Sequence, residues 1–246
     1  MLGVNKNEMK ENEIQKYAEK GYNLESLIIK KQELIRKITG KYLDSNLINS
    51  RIVISSILYD VVKIKEGIPG NSTPKSEQIL HLISTYIQGF GITENLIFAG
   101  QYTKAAALIK QEYEILARIN EIKKEKAKIG ETPNVKFAPK GSQKIYGELN
   151  KISHPSNPNK IADLLNHYKN GIINAVSFSP KFDKYYSTEL YKSHLYIAFE
   201  ITKESILLLI ELYGDIIIDK LREIRVFDYF DFVRERLILA DVISKK

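Results

Sequence analysis

The sequence predicts an all-α, multi-helix bundle, and three observations carry that reading. Apolar residues recur at three- and four-residue steps over most of the chain, the period of one helix face. Val226, Phe230, Val233, Leu237 and Ala240 follow a strict 4-3-4-3 spacing, which is that of a helix–helix seam. No internal repeat, low-complexity tract or long linker interrupts the pattern, so residues 13–246 read as a single helical domain behind a polar, flexible N-terminus at 1–12. A domain of that size buries roughly 70–75% of the surface its unfolded chain exposes.

In order, a first helix is expected over 14–42, where Ile14, Tyr17, Gly21, Leu24, Ile28, Ile35 and Ile38 form a stripe that only Lys31 interrupts. Asp44 or Ser45 caps a second helix over 45–66, apolar on nearly every side and therefore expected to be central. After a loop of turn formers at 67–74, Thr73 and Pro74 start a third helix. Gly89-Phe90-Gly91 is expected to end it. The fourth helix is expected over 93–128, with Ala105, Ala106, Leu108, Ile109, Tyr113, Ile115, Leu116, Ile119 and Ile122 on its apolar arc. Lys110, Glu114, Arg118 and Glu121 project to the opposite side. A short fifth helix over 140–154 carries Ile145, Leu149 and Ile152. Asn170-Gly171 reads as a hairpin turn, so a small β-ribbon is expected near 164–178. Two long helices close the chain, over 184–213 and 215–243.

Net charge is +7, from 37 Lys+Arg against 30 Asp+Glu. That permits a polyanionic partner, but lysine far outnumbers the forked arginine that phosphate and base-edge recognition favour. Eight lysines (123, 124, 126, 128, 136, 140, 144 and 151) face three glutamates between 123 and 151. A solvated helix end, its lysines complementing the C-terminal dipole, accounts for that run better than a ligand patch does. The chain has no cysteine, which excludes disulfides, thiolate metal sites and a cysteine nucleophile. The polar start and the absence of a run near 20 apolar residues point to a cytoplasmic protein with no membrane partner.

Neither phosphate-binding glycine loop, paired-histidine zinc motif nor serine elbow is present. His81, His154, His167 and His194 have no metal-ligand spacing, and neither metal nor cofactor is expected. Two positions invite chemistry. Pro155 disfavours helical geometry at His154, which places that ring at a helix C-terminus where the dipole favours its protonated form. Asn150 and Lys151 share its face. The plainer role for His154 is to cap the helix. Glu112 lies mid-arc among apolar residues, where a carboxylate must be paired, protonated or functional. Either the arc is only partly covered there, or a lysine or tyrosine from another helix satisfies it.

Leu149-Asn150-Lys151-Ile152-Ser153-His154 resembles the motif of the HEPN superfamily. There an arginine, commonly followed by a polar residue such as asparagine, precedes a histidine by four to six intervening positions. Lys110-x3-Glu114 followed by Tyr146-x2-Leu149-Asn150-x3-His154 also resembles a bacterial family of helical proteins with Arg-x3-Glu on one helix and Tyr-x2-Leu-Ser-x3-His on the next. The similarity spans residues 105–156. It implies an all-helical homodimer. It also implies a metal-independent ribonuclease ancestry, in toxin–antitoxin or anti-phage systems, with catalysis at the dimer interface. Where the family's arginine belongs, this chain has Leu149, Glu148 or Gly147, and losing a donor aimed at transition-state charge costs about 10²–10³ in rate.

The leading expectation is thus a HEPN-like, non-catalytic binding or regulatory module that forms a homodimer and binds RNA or a protein. Its candidate binding residues are Lys110, Glu112, Glu114 and Tyr146. A ribonuclease using His154 with Lys151 and Asn150, a lysine replacing the arginine, is the second reading. A protein-interaction scaffold assembling through the 226–240 seam is the third.

Overall fold

The computed structural model describes residues 11–64, 70–154, 156–169 and 172–244. Among them the elements run α1 (Glu11–Tyr42), α2 (Ser45–Ile64), α3 (Pro74–Phe98), α4 (Tyr102–Lys123), a single 3-10 turn (Val135–Phe137), α5 (Ser142–Ser153), α6 (Pro158–Leu165), β1 (Asn166–Lys169), β2 (Ile172–Val176), α7 (Lys184–Tyr213), α8 (Asp215–Glu223) and α9 (Val226–Leu239). The chain is an all-α multi-helix bundle. None of these helices is long and apolar enough to cross a membrane.

The central helix is α7, not α2. Of its 30 residues 16 are buried, and it packs on α2, α3 and α4. On α2 only one face is covered, by Leu47, Ile54, Ile57, Leu58 and Val61, while Ile52, Tyr59 and Val62 lie exposed. The 4-3-4-3 seam of α9 is spent on that covered face, with Val226, Val233 and Leu237 fully buried against α2. Arg236 Nη1 fastens the pair by donating to Asn46 Oδ1 at 3.1 Å. The seam is therefore occupied within the chain and is not free for assembly.

Local chemistry explains the boundaries. Thr73 and Ser76 cap α3 reciprocally: Ser76 N donates to Thr73 Oγ1 at 3.1 Å, and Thr73 N donates to Ser76 Oγ at 2.8 Å. The expected break at Gly89-Phe90-Gly91 does not occur. A mid-helix glycine costs about 1 kcal/mol relative to alanine, whereas burying Phe90, Thr93 and Ile97 on the continuing face gains about 1.5–3 kcal/mol per large apolar side chain. The helix stops instead before Gly100, whose φ of +71° and whose approach to Lys181 O, 2.9 Å from where a Cβ would lie, admit only glycine. The fourth helix is accordingly shorter than expected at both ends.

The helix expected over 215–243 is split by Arg225 in the left-handed region, at φ 60°. There its Nε bonds Asp228 Oδ2 at 2.8 Å. Pro158–Leu165 is helical, with Pro158 in its first turn, so positions 164 and 165 of the expected ribbon belong to α6. The ribbon is present and narrower than expected: β1 and β2 are antiparallel, from Asn166 opposite Val176 to Lys169 opposite Ile172. The expected turn Asn170-Gly171 lies outside the described residues, as do 1–10 of the expected flexible N-terminus and positions 65–66 of the second helix. Glu11 and Asn12 belong to α1.

The α1 stripe is covered only near its end. Ile35 and Thr39 are buried, whereas Ile14, Tyr17 and Leu24 are more than half exposed. Among the helices α1 packs chiefly on α3 and α7, and Tyr42 at its end stacks on Phe182 with ring centres 5.4 Å apart.

Candidate functional site

Helices α4 and α5 pack side by side, as the stripe on each predicts, and this brings three of the singled-out residues together. Tyr146 Oη donates to Glu114 Oε1 at 2.5 Å, Lys110 Nζ stands 4.0 Å from the same oxygen, and its ammonium lies 5.4 Å from the Tyr146 ring centre. Burial and the Glu114 carboxylate push the Tyr146 phenol well above its ordinary pKa. Lys110, Glu114 and Tyr146 satisfy one another and clip α5 to α4.

Glu112 is elsewhere, inside the core. It accepts from Thr93 Oγ1 at 2.6 Å and from His194 Nδ1 at 2.9 Å. Its partner is thus a histidine of α7, neither lysine nor tyrosine. Phe90 stacks on that imidazole with ring centres 4.9 Å apart. Glu121, expected on the outer face, is buried too, accepting from Asn134 N at 2.7 Å and pairing with Arg118 at 3.0 Å.

His154 occupies the C-cap of α5 with extended backbone, at φ −96° and ψ 127°. It is exposed, and its Nδ1 lies 2.7 Å from Ser156 Oγ. Lys151 is paired with Glu148 at 2.6 Å, and Asn150 is exposed on the same side. His154 thus closes α5 through its backbone N–H, which donates to Asn150 O at 3.1 Å, while its ring turns to Ser156 and the nearby ammonium is already engaged by a carboxylate. His154→Ala is accordingly expected to shift stability by less than about 0.5 kcal/mol. RNA incubated with either protein should show the same pattern on a gel; cleavage by wild type alone would restore the nuclease reading.

The opposite side of α5 faces a groove. Between α5 and α7, closed at one end by α9 and residues 241–244, lies a cavity of about 1060 Å³. Its floor is aromatic: Tyr113, Tyr196 and the stacked pair Phe199 and Phe230, 4.4 Å apart. Lys140, Lys144 and Lys160 stand at the α5 side and Arg234 across from them. Glu148 also lines it, and its pKa is lowered first by the Lys151 hydrogen bond and then by the fields of Lys160 and Lys144. The groove's other lysines, Lys192 and Lys203, are matched along α7 by Glu189 and Glu200 at 3.8 and 4.0 Å.

Two lining hydroxyls set this groove apart. Tyr113 Oη and Ser142 Oγ are buried without a hydrogen-bond partner among the described residues, although a buried hydroxyl left unpaired costs about 1–3 kcal/mol. Ser142 opens α5 behind Gly141, whose φ of +96° starts the helix without a side-chain cap. The start of α5, where Ser142 N donates to Pro139 O at 3.1 Å and Lys144 N to Gly141 O at 3.2 Å, thus lines one groove with the two hydroxyls and three lysines, a combination suited to a bound anion.

Sequence reading located the lysines but not the groove. Tyr113 sat in the apolar arc with its hydroxyl uncounted, and the facing residues come from segments about 80 positions away. No family model matches the chain, and no curated protein or solved structure matches it either.

Proposed function

We propose that this chain is a non-catalytic binding module and that the groove between α5 and α7 takes a nucleotide phosphate. The observation that carries the reading is the pair of unpartnered buried hydroxyls, Tyr113 Oη and Ser142 Oγ, in a groove that Lys140 and Lys144 also line. Charge-assisted bonds from those donors would hold the phosphate. The aromatic floor suits a base, since ring faces accept any base by stacking. A volume of about 1060 Å³ lies at the upper edge of what small-ligand sites occupy. The HEPN resemblance supports an RNA context but brings no arginine to the reaction it would imply.

The phosphate can belong to a free nucleotide or to the end of a strand, and titration calorimetry with AMP and with a short oligoribonucleotide bearing a terminal phosphate separates the two. Saturable binding of either probe, weakened about tenfold or more by Lys144→Glu, is expected. For the oligonucleotide, affinity should also fall with added salt as counterions are released. No binding of either probe, or binding indifferent to Lys144→Glu, would discard the reading.

Tyr113→Phe has a sharper signature. Removing an unsatisfied buried hydroxyl should leave the free protein unchanged in stability or stabilise it by about 1 kcal/mol. The same change removes a bond to a charged group worth about 1.5–3 kcal/mol, so affinity is expected to fall roughly 10–100-fold. Urea denaturation and calorimetry on the one variant read both halves.

A further inference from the structure

The groove between α5 and α7 is a trough, not a bowl. A round cavity of about 1060 Å³ would be about 13 Å across. The α7 residues that line this one, from Tyr185 to Lys203, extend for about 27 Å at 1.5 Å per residue. Burial raises the Tyr113 pKa and the neighbouring Tyr196 phenol raises it further, so the unpartnered Tyr113 hydroxyl lies level with Tyr196. Tyr185 and Tyr186 also line the groove, about 15 Å back along the same helix. One nucleotide anchored at Tyr113 does not reach that far.

Charge points the same way. Glu148, Glu189 and Glu200 are already matched by Lys151, Lys192 and Lys203. Of the remaining charged groups in the lining, Lys140, Lys144, Lys160 and Arg234 make no ion pair among the described residues, and neither does Asp241. Four cations against one carboxylate leave an excess of three positive charges. A terminal phosphate carries about −1.5 to −2, so it neutralises only part of that excess. The rest suits the phosphodiesters that follow in a strand. Cations beside aromatic faces are what a single-strand groove uses, the first for the backbone and the second for successive bases. Tyr185, 69% exposed, has a ring open to such a base.

We propose that the ligand of this groove is the phosphorylated end of a single-stranded nucleic acid, its terminal phosphate on Tyr113 Oη, Ser142 Oγ and Lys144 and its following bases laid along α7 toward Tyr185. The inference rests on the phosphate reading above and narrows it: a free nucleotide fills only the phosphate end of the trough.

Titration calorimetry on the full chain tests it, with AMP, ATP and tetraadenylates carrying a phosphate at the 5′ end, at the 3′ end or at neither. One of the two phosphorylated tetranucleotides is expected to bind about tenfold or more tightly than AMP, and removing its phosphate to weaken it by a similar factor. Tyr185→Ala should keep its helical circular dichroism, weaken that tetranucleotide about fivefold or more and leave AMP unchanged. If AMP binds as tightly as either tetranucleotide, the phosphate reading stands and this inference falls. It falls equally if ATP matches the better tetranucleotide, since the excess charge then serves a polyphosphate. Binding indifferent to the terminal phosphate or to Tyr185→Ala would overturn it as well. No binding of any probe would remove both readings together.

Discussion

Between about pH 10 and pH 12 the chain is expected to lose roughly 4 kcal/mol of stability per pH unit and to unfold cooperatively. The cause is three core phenols: Tyr86, Tyr113 and Tyr191 are only 2%, 0% and 0% exposed. Burial raises the pKa of each. Glu112 raises Tyr86 further, Tyr196 and Glu112 raise Tyr113, and Glu94 raises Tyr191 against the opposing field of Arg51. Burial also pushes Tyr102 up to about 12. In the unfolded chain a tyrosine sheds its proton near pH 10, while the folded core retains it. The stability these groups contribute is therefore present below about pH 10 and is lost as pH rises toward the folded values. Each contributes about 1.4 kcal/mol per unit, and a domain typically holds only about 5–15 kcal/mol in all. Circular dichroism and tyrosinate absorbance, followed together, should show a rise in absorbance that coincides with loss of helix. Complete tyrosinate formation with the helices intact would mean that these phenols are reached by water in the folded state.

Replacing Glu112 by alanine is expected to destabilise the protein by about 3–5 kcal/mol, the cost of breaking a buried pair from one side. The carboxylate is 6% exposed and satisfies Thr93 and His194 together, tying α4 to α3 and to α7. His194 is itself fully buried, and its Nε2 has no partner among the described residues. Alanine would leave both ring nitrogens and the Thr93 hydroxyl unanswered. Glutamine retains one acceptor and gains a donor, which Thr93 can accept, so about 1 kcal/mol is expected. Urea denaturation of both variants separates the cases. Equal losses would identify charge, not hydrogen-bond satisfaction, as what Glu112 supplies; no loss with alanine would remove it from the network that holds the three helices.

Periodicity carried the bundle, and the errors in element boundaries share one cause. Thr73-Pro74 announces a helix start through side-chain and backbone chemistry that is local, and so it was legible. Gly89 and Gly91 carry the same local signal, but Phe90 and Phe98 override it by packing on His194 and Tyr191 of α7, which lies about a hundred positions further along. Arg225 adopts a left-handed turn with no glycine to mark it. The candidate site divides the same way. Glu112 was recognisable because a carboxylate in an apolar arc demands an answer, yet the answering imidazole is 82 residues away. His154 was recognisable as a helix terminus, and the structure leaves it at that. The groove could not be read at all, since Tyr113, Ser142 and Tyr196 become neighbours only when α4, α5 and α7 meet.

The union of α2 with α9 has a consequence for synthesis. Asn46 and Arg236, which join them, are 190 positions apart, and ribosomes add only about 5–20 residues per second. For some ten seconds or more, the side of α2 that α9 covers emerges without that cover. Contacts of such long range also slow the final docking step. The nascent chain is then most in need of a chaperone before its last helix is released.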